Sequence, residues 1–70
     1  MKVSYDKRTD IAYIRFSEKA PDGAIEVAEG VVIDTTETNE LVGIEIFDAS
    51  ARLPIDNLFT IERVPTKSSA

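Results

Sequence analysis

The sequence predicts an α+β domain in which an antiparallel β-meander of about five strands is followed by one or two short C-terminal helices. Short runs rich in β-branched and aromatic residues recur between residues 3 and 47, and such runs are typical of strands. Brief polar or glycine-containing segments separate them, as in a meander of short connections. After Pro54, the apolar residues take up a helical spacing instead.

The first two strands form a predicted hairpin. Residues 3–5 alternate in polarity, residues 6–10 form a charged turn, and residues 11–16 form the second strand. Pairing Tyr5 with Ala12 divides the side chains between two faces. One face receives Val3, Tyr5, Ala12, Ile14 and Phe16, and the other receives Ile11, Tyr13 and Arg15. Both faces of the second strand are therefore substantially apolar, as in a strand that is covered on both sides.

A third strand follows a loop. Residues 17–23 end in Pro21-Asp22-Gly23, which is a turn signal. Residues 24–28 alternate between apolar and polar or small side chains, so they read as a strand. Glu29-Gly30 then forms a tight connection or a bulge into the next strand.

Residues 31–36 and 41–47 form the central predicted hairpin. The polar turn between them contains Asn39, which tolerates the left-handed conformation. The register that gathers the apolar residues on one face pairs Thr36 with Leu41, Thr35 with Val42, Ile33 with Ile44 and Val31 with Ile46, and places Asp34 opposite Gly43 and Val32 opposite Glu45. A glycine at position 43 indicates a bulge or the close approach of another backbone.

The C-terminal part is predicted to be helical. Asp48 or Ser50 can cap a short helix that Pro54 ends. A second, amphipathic helix is expected across the sheet between Ile55 and Val64, capped by Asp56 or Asn57 and ended by Pro65.

We therefore expect a single α+β domain over residues 1–64 and a frayed tail over residues 65–70. Its predicted core is Val3, Ala12, Ile14, Phe16, Ile25, Val27, Val31, Ile33, Val42, Ile44, Ile46, Leu53 and Leu58.

Composition excludes several classes of function. The 70-residue chain has no cysteine and no histidine, so it lacks disulfides and the commonest metal ligands. Its net charge is -5 and its eight basic residues are scattered, which argues against direct nucleic-acid binding. No apolar run approaches the length of a membrane span, and the N-terminus does not resemble a signal peptide. A cytoplasmic location fits this composition.

Three carboxylates, Asp34, Glu45 and Asp48, are the candidates for chemistry. Paired carboxylates can perform acid–base reactions when one of them is desolvated, but a solvated outer face of a sheet is the better account of them, because nothing in the sequence marks a cleft or an orienting partner. Without histidine there is no Ser-His pair, and no phosphate loop occurs. The acidic residues at positions 6 and 10 flank two cations and read as a polar turn rather than a calcium loop. We expect no enzymatic activity, no cofactor and no bound metal.

Several short motifs follow one another at residues 5–6, 10–16, 30–34, 41–46 and 48–50. In the order and spacing of these motifs the chain resembles the family known as domain of unknown function 2283, with Phe47 standing where the family usually has a leucine-type residue. The family consists of small prokaryotic proteins without an established activity. Some members look as though they are encoded beside small toxin-like proteins, which would imply an antitoxin or chaperone role. The resemblance therefore implies a partner-binding role and no particular site residue.

The prediction for function is a non-catalytic protein-interaction module, with an antitoxin-like partner of a small basic protein as one form of it. The alternative is a small enzyme or ligand-binding protein that uses the Asp34/Glu45/Asp48 face. A two-fold homodimer is also expected, because one short helix cannot cover both faces of the sheet. The candidate interface is Ile11, Tyr13, Val32, Leu41 and Phe47. In the rival arrangement, the segment from Ile55 to Val64 covers that face of its own domain.

Overall fold

Five antiparallel strands and two short helical turns make up the computed structural model, which describes residues 1–57. The strands are β1 (Lys2–Asp6), β2 (Ile11–Arg15), β3 (Gly23–Ala28), β4 (Val31–Thr35) and β5 (Leu41–Phe47), followed by helix α1 (Ala49–Arg52) and a 3₁₀ turn (Ile55–Asn57). The α+β class with a five-stranded antiparallel meander is confirmed.

The strands lie in the order β1-β2-β5-β4-β3. The β1–β2 hairpin joins the β3–β4–β5 meander through an antiparallel pairing of β2 with β5. The loop after β2 therefore carries the chain to the far edge of the sheet, where β3 begins. This order makes β1 and β3 the edge strands and puts the longest strand, β5, at the centre.

The register of the central hairpin is confirmed along most of its length. Ile33 pairs with Ile44, and Asp34 pairs with Gly43. The prediction is wrong at the turn, where Thr35 pairs with Leu41 instead of Val42. A register shift at that point leaves Val42 as an extra residue in β5, which is a β-bulge. The bulge moves Leu41 onto the face that carries Ile33.

The other connections agree with the sequence. Tyr5 pairs with Ala12 as predicted. Glu29 and Gly30 join β3 to β4, and Gly30 takes a left-handed conformation with φ of 75°. A second register shift, between Glu26 and Ala28, leaves Val27 as an extra residue in the edge strand β3.

The pairing gives the sheet two chemically different faces, because residues paired across strands share a face and neighbours along a strand alternate. We call the first the aliphatic face; it carries Val3, Tyr5, Ala12, Ile14, Gly23, Ile25, Ala28, Val31, Ile33, Thr35, Leu41, Ile44 and Ile46. We call the second the mixed face; it carries Lys2, Ser4, Asp6, Ile11, Tyr13, Arg15, Ala24, Glu26, Val32, Asp34, Gly43, Glu45 and Phe47.

The predicted core is only partly confirmed. Within residues 1–57, the buried apolar residues are Ala12, Val42 and Ala49. The predictions for Phe16, Ile25 and Val27 are wrong, because these side chains are 40%, 56% and 54% exposed. Ile25 and Val27 lie on β3, an edge strand that no further strand of the described residues flanks. Seven other predicted core residues are half-buried: Val3, Ile14, Val31, Ile33, Ile44, Ile46 and Leu53. Leu58 lies outside the described residues.

Helix α1 is a four-residue turn that ends before Pro54 as predicted, with the Leu53 N–H donating to the Ala49 carbonyl over 2.8 Å. Its predicted side-chain cap is wrong. Asp48 occupies the N-cap position in a left-handed conformation and makes no side-chain capping bond. The second predicted helix begins as a 3₁₀ turn, in which the Asn57 N–H donates to the Pro54 carbonyl. Its continuation to residue 64 and the tail over 65–70 lie outside the described residues.

No helix in the described part of the chain is long and apolar enough to cross a membrane.

Candidate functional site

Two of the three candidate carboxylates come together on the mixed face. Asp34 on β4 lies opposite Gly43, and Glu45 on β5 lies opposite Val32 on β4 and Tyr13 on β2. The two acids are thus diagonal neighbours on adjacent strands, as the predicted register requires. Asp48 is not part of this pair, because it follows the end of β5 and begins helix α1. The structure therefore forms a two-carboxylate pair rather than a three-carboxylate site.

Tyr13 completes this cluster by leaning across the central strand. The hydroxyl end of its ring lies over Gly43, so close that a Cβ atom on residue 43 would overlap the ring. Gly43 also lies close to the β2 backbone, since the same Cβ would be 2.8 Å from the Ile14 carbonyl oxygen. The glycine thus leaves the space through which Tyr13 reaches from β2 toward Asp34 on β4. The sequence predicts a bulge or a close backbone approach at this glycine. Both occur: the β-bulge at Val42 adjoins Gly43, and the backbone of β2 lies close to it.

The electrostatics of the cluster follow from burial and from like charges. Asp34 is 8% exposed, the lowest exposure of any charged residue in the described range. Burial raises the pKa of Glu45, and the negative charge of Asp34 beside it raises that pKa further. Burial also raises the pKa of Tyr13, with a second contribution from the Asp34 charge that the nearby Arg15 cation partly offsets. The Arg15 guanidinium carbon lies 5.7 Å from the centre of the Tyr13 ring.

A shallow depression lies over the carboxylate pair. It has a volume of about 360 Å³, opens to solvent, and is lined by Pro21, Asp22, Gly23, Ala24, Asp34 and Glu45. Its walls thus come from the loop before β3, from β3 itself, and from the two central strands. Among residues 1–57, no group of three or more potential ligands has a geometry that could hold a metal ion.

A second polar cluster lies at the end of the sheet, around Asp10. The Tyr5 hydroxyl donates to Asp10 Oδ1 over 2.6 Å. The Ser50 backbone N–H donates to the same oxygen over 3.0 Å, and the Ser50 hydroxyl donates to Oδ2 over 2.8 Å. The Ala49 N–H donates to the Asp10 backbone carbonyl over 3.0 Å. Asp10 therefore supplies to helix α1 the capping acceptor that was predicted from Asp48 or Ser50.

This cluster, which we call the Asp10 clasp (Tyr5, Asp10 and Ser50), is better suited to holding structure than to catalysis. The Tyr5 and Ser50 donors lower the pKa of the Asp10 carboxyl, which makes it a weaker base for proton abstraction. The bond to Asp10 in turn raises the pKa of Tyr5. Ser50 has no histidine to activate it, since the chain contains none.

The Asp10 clasp acts together with Arg52 to fix helix α1. The Arg52 side chain donates to the Glu29 carbonyl over 2.7 Å, beside Gly30. Helix α1 therefore joins the β1–β2 turn to the β3–β4 turn at one end of the sheet.

The five predicted interface residues do not form one surface. Ile11, Tyr13, Val32 and Phe47 share the mixed face, with Ile11 paired to Phe47. The bulge places Leu41 on the aliphatic face instead. Leu41 and Phe47 are 44% and 38% exposed, and the other three are half-buried.

Two features of these clusters were missed at the level of sequence. The sequence predicts Tyr13 only as a candidate interface residue and not as a neighbour of Asp34, because it does not predict the pairing of β2 with β5. Asp10 was predicted only as part of a charged turn. Its left-handed conformation, with φ of 57°, follows a rule that applies to aspartate in turns, but its bonds to Ser50 depend on a contact between distant parts of the chain.

Comparison with known proteins identifies a family and no closer relative. A protein-family model described as "Protein of unknown function (DUF2283)" matches residues 2–50 of the 70-residue chain. The matched region includes both polar clusters and all five strands. Neither curated proteins nor solved structures gave a match.

Proposed function

Because this chain belongs to the DUF2283 family of proteins of unknown function, its role has to be inferred from its own surfaces, and we propose that it is a protein-interaction module that pairs through its aliphatic face. The proposed occupant of that face is a second copy of the chain. The interaction surface thus differs from the predicted set, four of whose five members lie on the mixed face.

The observation that supports this proposal is the distribution of charge over the sheet. Every charged residue of the five strands for which the pairing defines a face lies on the mixed face: Lys2, Asp6, Arg15, Glu26, Asp34 and Glu45. The aliphatic face carries none of them. In a chain with a net charge of -5, an entire uncharged sheet face is the surface from which water is most easily removed.

Exposure on this face supports the same proposal. Ile25 is 56% exposed and Leu41 is 44% exposed. Helix α1 has four residues and is attached at the end of the sheet, so it is too short to cover a face of five strands. Apolar patches of this kind are typical of protein interaction sites.

A second copy suits this face better than a small basic protein does. A basic partner would gain from acidic side chains, and those lie on the mixed face. Two aliphatic faces can instead pack against each other as the two sheets of a sandwich do, about 10 Å apart. A closed two-fold pair of this kind is the commonest form of homo-oligomer.

The mass of the protein in solution tests this proposal. Sedimentation equilibrium at micromolar concentration should give twice the mass of one chain. The Ile25→Lys variant places a charge on the aliphatic face at an exposed position and should sediment as a folded monomer. The Ser4→Lys variant adds the same charge to the mixed face of the other edge strand, where Ser4 is exposed, and should remain a dimer.

Two results would contradict it. The wild type could sediment as a single-chain species at every concentration, which would remove self-association altogether. Alternatively, Tyr13→Asp could give a monomer while Ile25→Lys stays dimeric, which would place the interface on the mixed face. That the protein has no enzymatic activity and that it lies in the cytoplasm stay predictions. Assays of cell fractions would test its location.

A further inference from the structure

We propose that β1 is a second self-association site, at which two copies of the chain pair edge to edge as antiparallel strands related by a two-fold axis. β1 is an edge strand, and no strand of residues 1–57 pairs with its outer side. Such an edge presents unpaired N–H and C=O groups to which another strand can add. The edge is distinct from the aliphatic face, so this inference goes beyond the proposed function and does not depend on it.

The hydrogen bonds of the sheet show which backbone groups of β1 are open. The Phe16 N–H, directly after β2, donates to the Val42 carbonyl on β5 over 2.8 Å. Successive residues of a strand direct their backbone groups to opposite sides, so every second residue back from Phe16 bonds toward β5, and Tyr13 bonds toward β1. Tyr13 lies opposite Ser4. Ser4 therefore bonds inward, and its two neighbours present their backbone groups to the open edge.

The charges of β1 select one antiparallel register for two such strands. Pairing Val3 of each copy with Tyr5 of the other joins the open backbone groups in two hydrogen-bonded pairs. The same register places Lys2 of each copy opposite Asp6 of the other, with the two copies of Ser4 facing each other at the two-fold axis. Moving the axis to Val3 or to Tyr5 removes both Lys2–Asp6 pairs. The strand is thus complementary in charge to a second copy of itself.

The side chains of β1 are available for this pairing. Lys2 and Asp6 are exposed, and Lys2 forms no ion pair within residues 1–57. Asp6 has only a long contact of 3.9 Å with the exposed Arg8 among the same residues. Facing residues of this kind have Cα atoms about 4.5 Å apart, and opposite charges at such positions stabilise an antiparallel pair. On the other side of the strand, Val3 packs beside Tyr5.

The other edge strand, β3, is less suited to such pairing. A β-bulge at Val27 interrupts it, and bulges are among the features that protect natural edge strands from association. Its charged side chain is Glu26, so two copies of β3 bring no opposite charges together. Association through β1 therefore closes after two sheets have joined and does not continue into a longer array.

Sedimentation equilibrium of the full chain from micromolar to millimolar concentration tests the site. The interface is small and its ion pairs are exposed, so it should form only toward the millimolar end. The mass should double over this range, from two chains to four if the aliphatic faces pair and from one chain to two if they do not. A constant mass of two chains would overturn the pairing through β1 and leave the proposed function in place.

Exchange of the two charges connects the doubling to β1. Lys2→Asp places acids opposite each other in both pairs, and Asp6→Lys places lysines there, so neither variant should double in mass. The double variant Lys2→Asp/Asp6→Lys restores opposite charges and has the net charge of the wild type, so it should double again. Doubling of either single variant would contradict the proposal, as would a folded double variant that does not double.

Hydrogen exchange of the wild type makes the test independent of the folding of any variant. At millimolar concentration the Val3 and Tyr5 amides should exchange slowly, because the pairing gives each of them a carbonyl acceptor on the other copy. In a chain with an open β1 edge, both amides face water and exchange fast.

Ala24 on the other edge strand supplies the control amide. The Phe47 N–H donates to the Gly30 carbonyl over 2.8 Å, so every second residue from Gly30 along β4 bonds toward β5. Asp34 is one of these residues and lies opposite Ala24, so the Ala24 amide points to the open side of β3 and should exchange fast. Outward β1 amides that exchange as fast as that of Ala24 would overturn the proposal. Protection of Ala24 alone would also contradict it, because the pairing would then lie at β3.

Discussion

At the scale of single residues, the two polar clusters place carboxylates in opposite environments. Asp10 accepts three hydrogen bonds, from Tyr5 and from two donors of Ser50, and these lower its pKa. Glu45 is partly buried beside another acid, and this raises its pKa. Hydrogen bonds to the ionised form favour charge, whereas burial and a like charge oppose it. The two residues should therefore give the folding stability opposite dependences on pH.

The Asp10 clasp should weaken in acid. Because the pKa of Asp10 is lower in the folded state than in the unfolded chain, its contribution to stability is present above the ordinary pKa of an aspartate and is lost as the pH falls through the lowered value. We expect Asp10→Asn to be less stable than the wild type at pH 7 and to lose less stability on acidification. Urea denaturation at pH 7 and at pH 3 measures both differences.

The control for this prediction is Asp56→Asn, which removes an exposed carboxylate from the 3₁₀ turn. It should follow the acid dependence of the wild type. If Asp10→Asn lost as much stability in acid as Asp56→Asn does, then Asp10 would not be the group whose protonation weakens the fold.

Glu45 should behave in the opposite sense. Its pKa is higher in the folded state, so the stability linked to its protonated form is fully present below the ordinary glutamate pKa and is lost as the pH rises through the raised value. Glutamine imitates the neutral acid, and Glu45→Gln should therefore be more stable than the wild type at pH 7 without gaining at pH 3. Thermal denaturation at these two pH values tests this. The matched control is Glu18→Gln, which removes the same charge from an exposed loop position.

A destabilising acid pair of this kind has a functional interpretation. If Glu45→Gln gains stability at neutral pH, the wild-type carboxylate is maintained at a cost to the fold, which is typical of functional sites. Equal stability of the wild type and Glu45→Gln at pH 7 would instead show that the two acids are well hydrated and do not repel each other.

At the scale of secondary-structure elements, the central strand β5 connects the two halves of the sheet. It pairs with β2 on one side and with β4 on the other. At Gly43, both the Tyr13 side chain and the backbone of β2 lie close to β5. A glycine weakens a strand interior, and here it leaves the room that Tyr13 occupies.

Gly43→Ala should therefore destabilise the domain by about 1–3 kcal/mol, because the new methyl group would overlap Tyr13 and the Ile14 carbonyl. Gly23→Ala is the matched control. Among residues 1–57, its Cβ would meet only the Thr35 hydroxyl oxygen, at 3.9 Å, so the substitution should change stability little. Urea denaturation of both variants measures the difference. Equal stabilities would mean that β2 and β5 can separate without cost at this position.

At the scale of the whole molecule, the arrangement of the strands leaves few fully buried side chains among residues 1–57. Within the described residues, two of the three fully buried apolar side chains are alanines. Small domains without disulfides commonly gain stability from association. The uncharged aliphatic face offers the area for such association, and the absence of cysteine removes the alternative of a cross-link.

If the aliphatic face joins two copies, thermal stability should depend on protein concentration. Association with a second copy stabilises the folded state by mass action. The Tm of the wild type and of Ser4→Lys should rise with each tenfold increase in concentration, whereas the Tm of Ile25→Lys should stay constant. Calorimetry over a hundredfold concentration range makes this comparison. A wild-type Tm that is independent of concentration would contradict association in this range.

The sequence by itself determined the strands, the turns and most of the pairing within each hairpin. Alternation along residues 31–36 and 41–47 selects one register, since a slip by one residue would move Ile33 away from Ile44 and onto Gly43 or Glu45. It also placed Asp34 and Glu45 on one face, which is why the carboxylate pair was predictable. These features depend on interactions between residues that are close in the chain.

Only the tertiary structure decided how the hairpins join. The pairing of β2 with β5 brings Tyr13 over Gly43, and the bond from Ser50 to Asp10 spans 40 residues. Alternation in β2 shows that both of its faces are apolar, but any strand with a compatible pattern could lie beside it. That choice also left β3 at an edge, which explains why Ile25 and Val27 are exposed although their pattern predicted a core. The burial of a strand depends on its neighbours in space, and its own residues do not specify them.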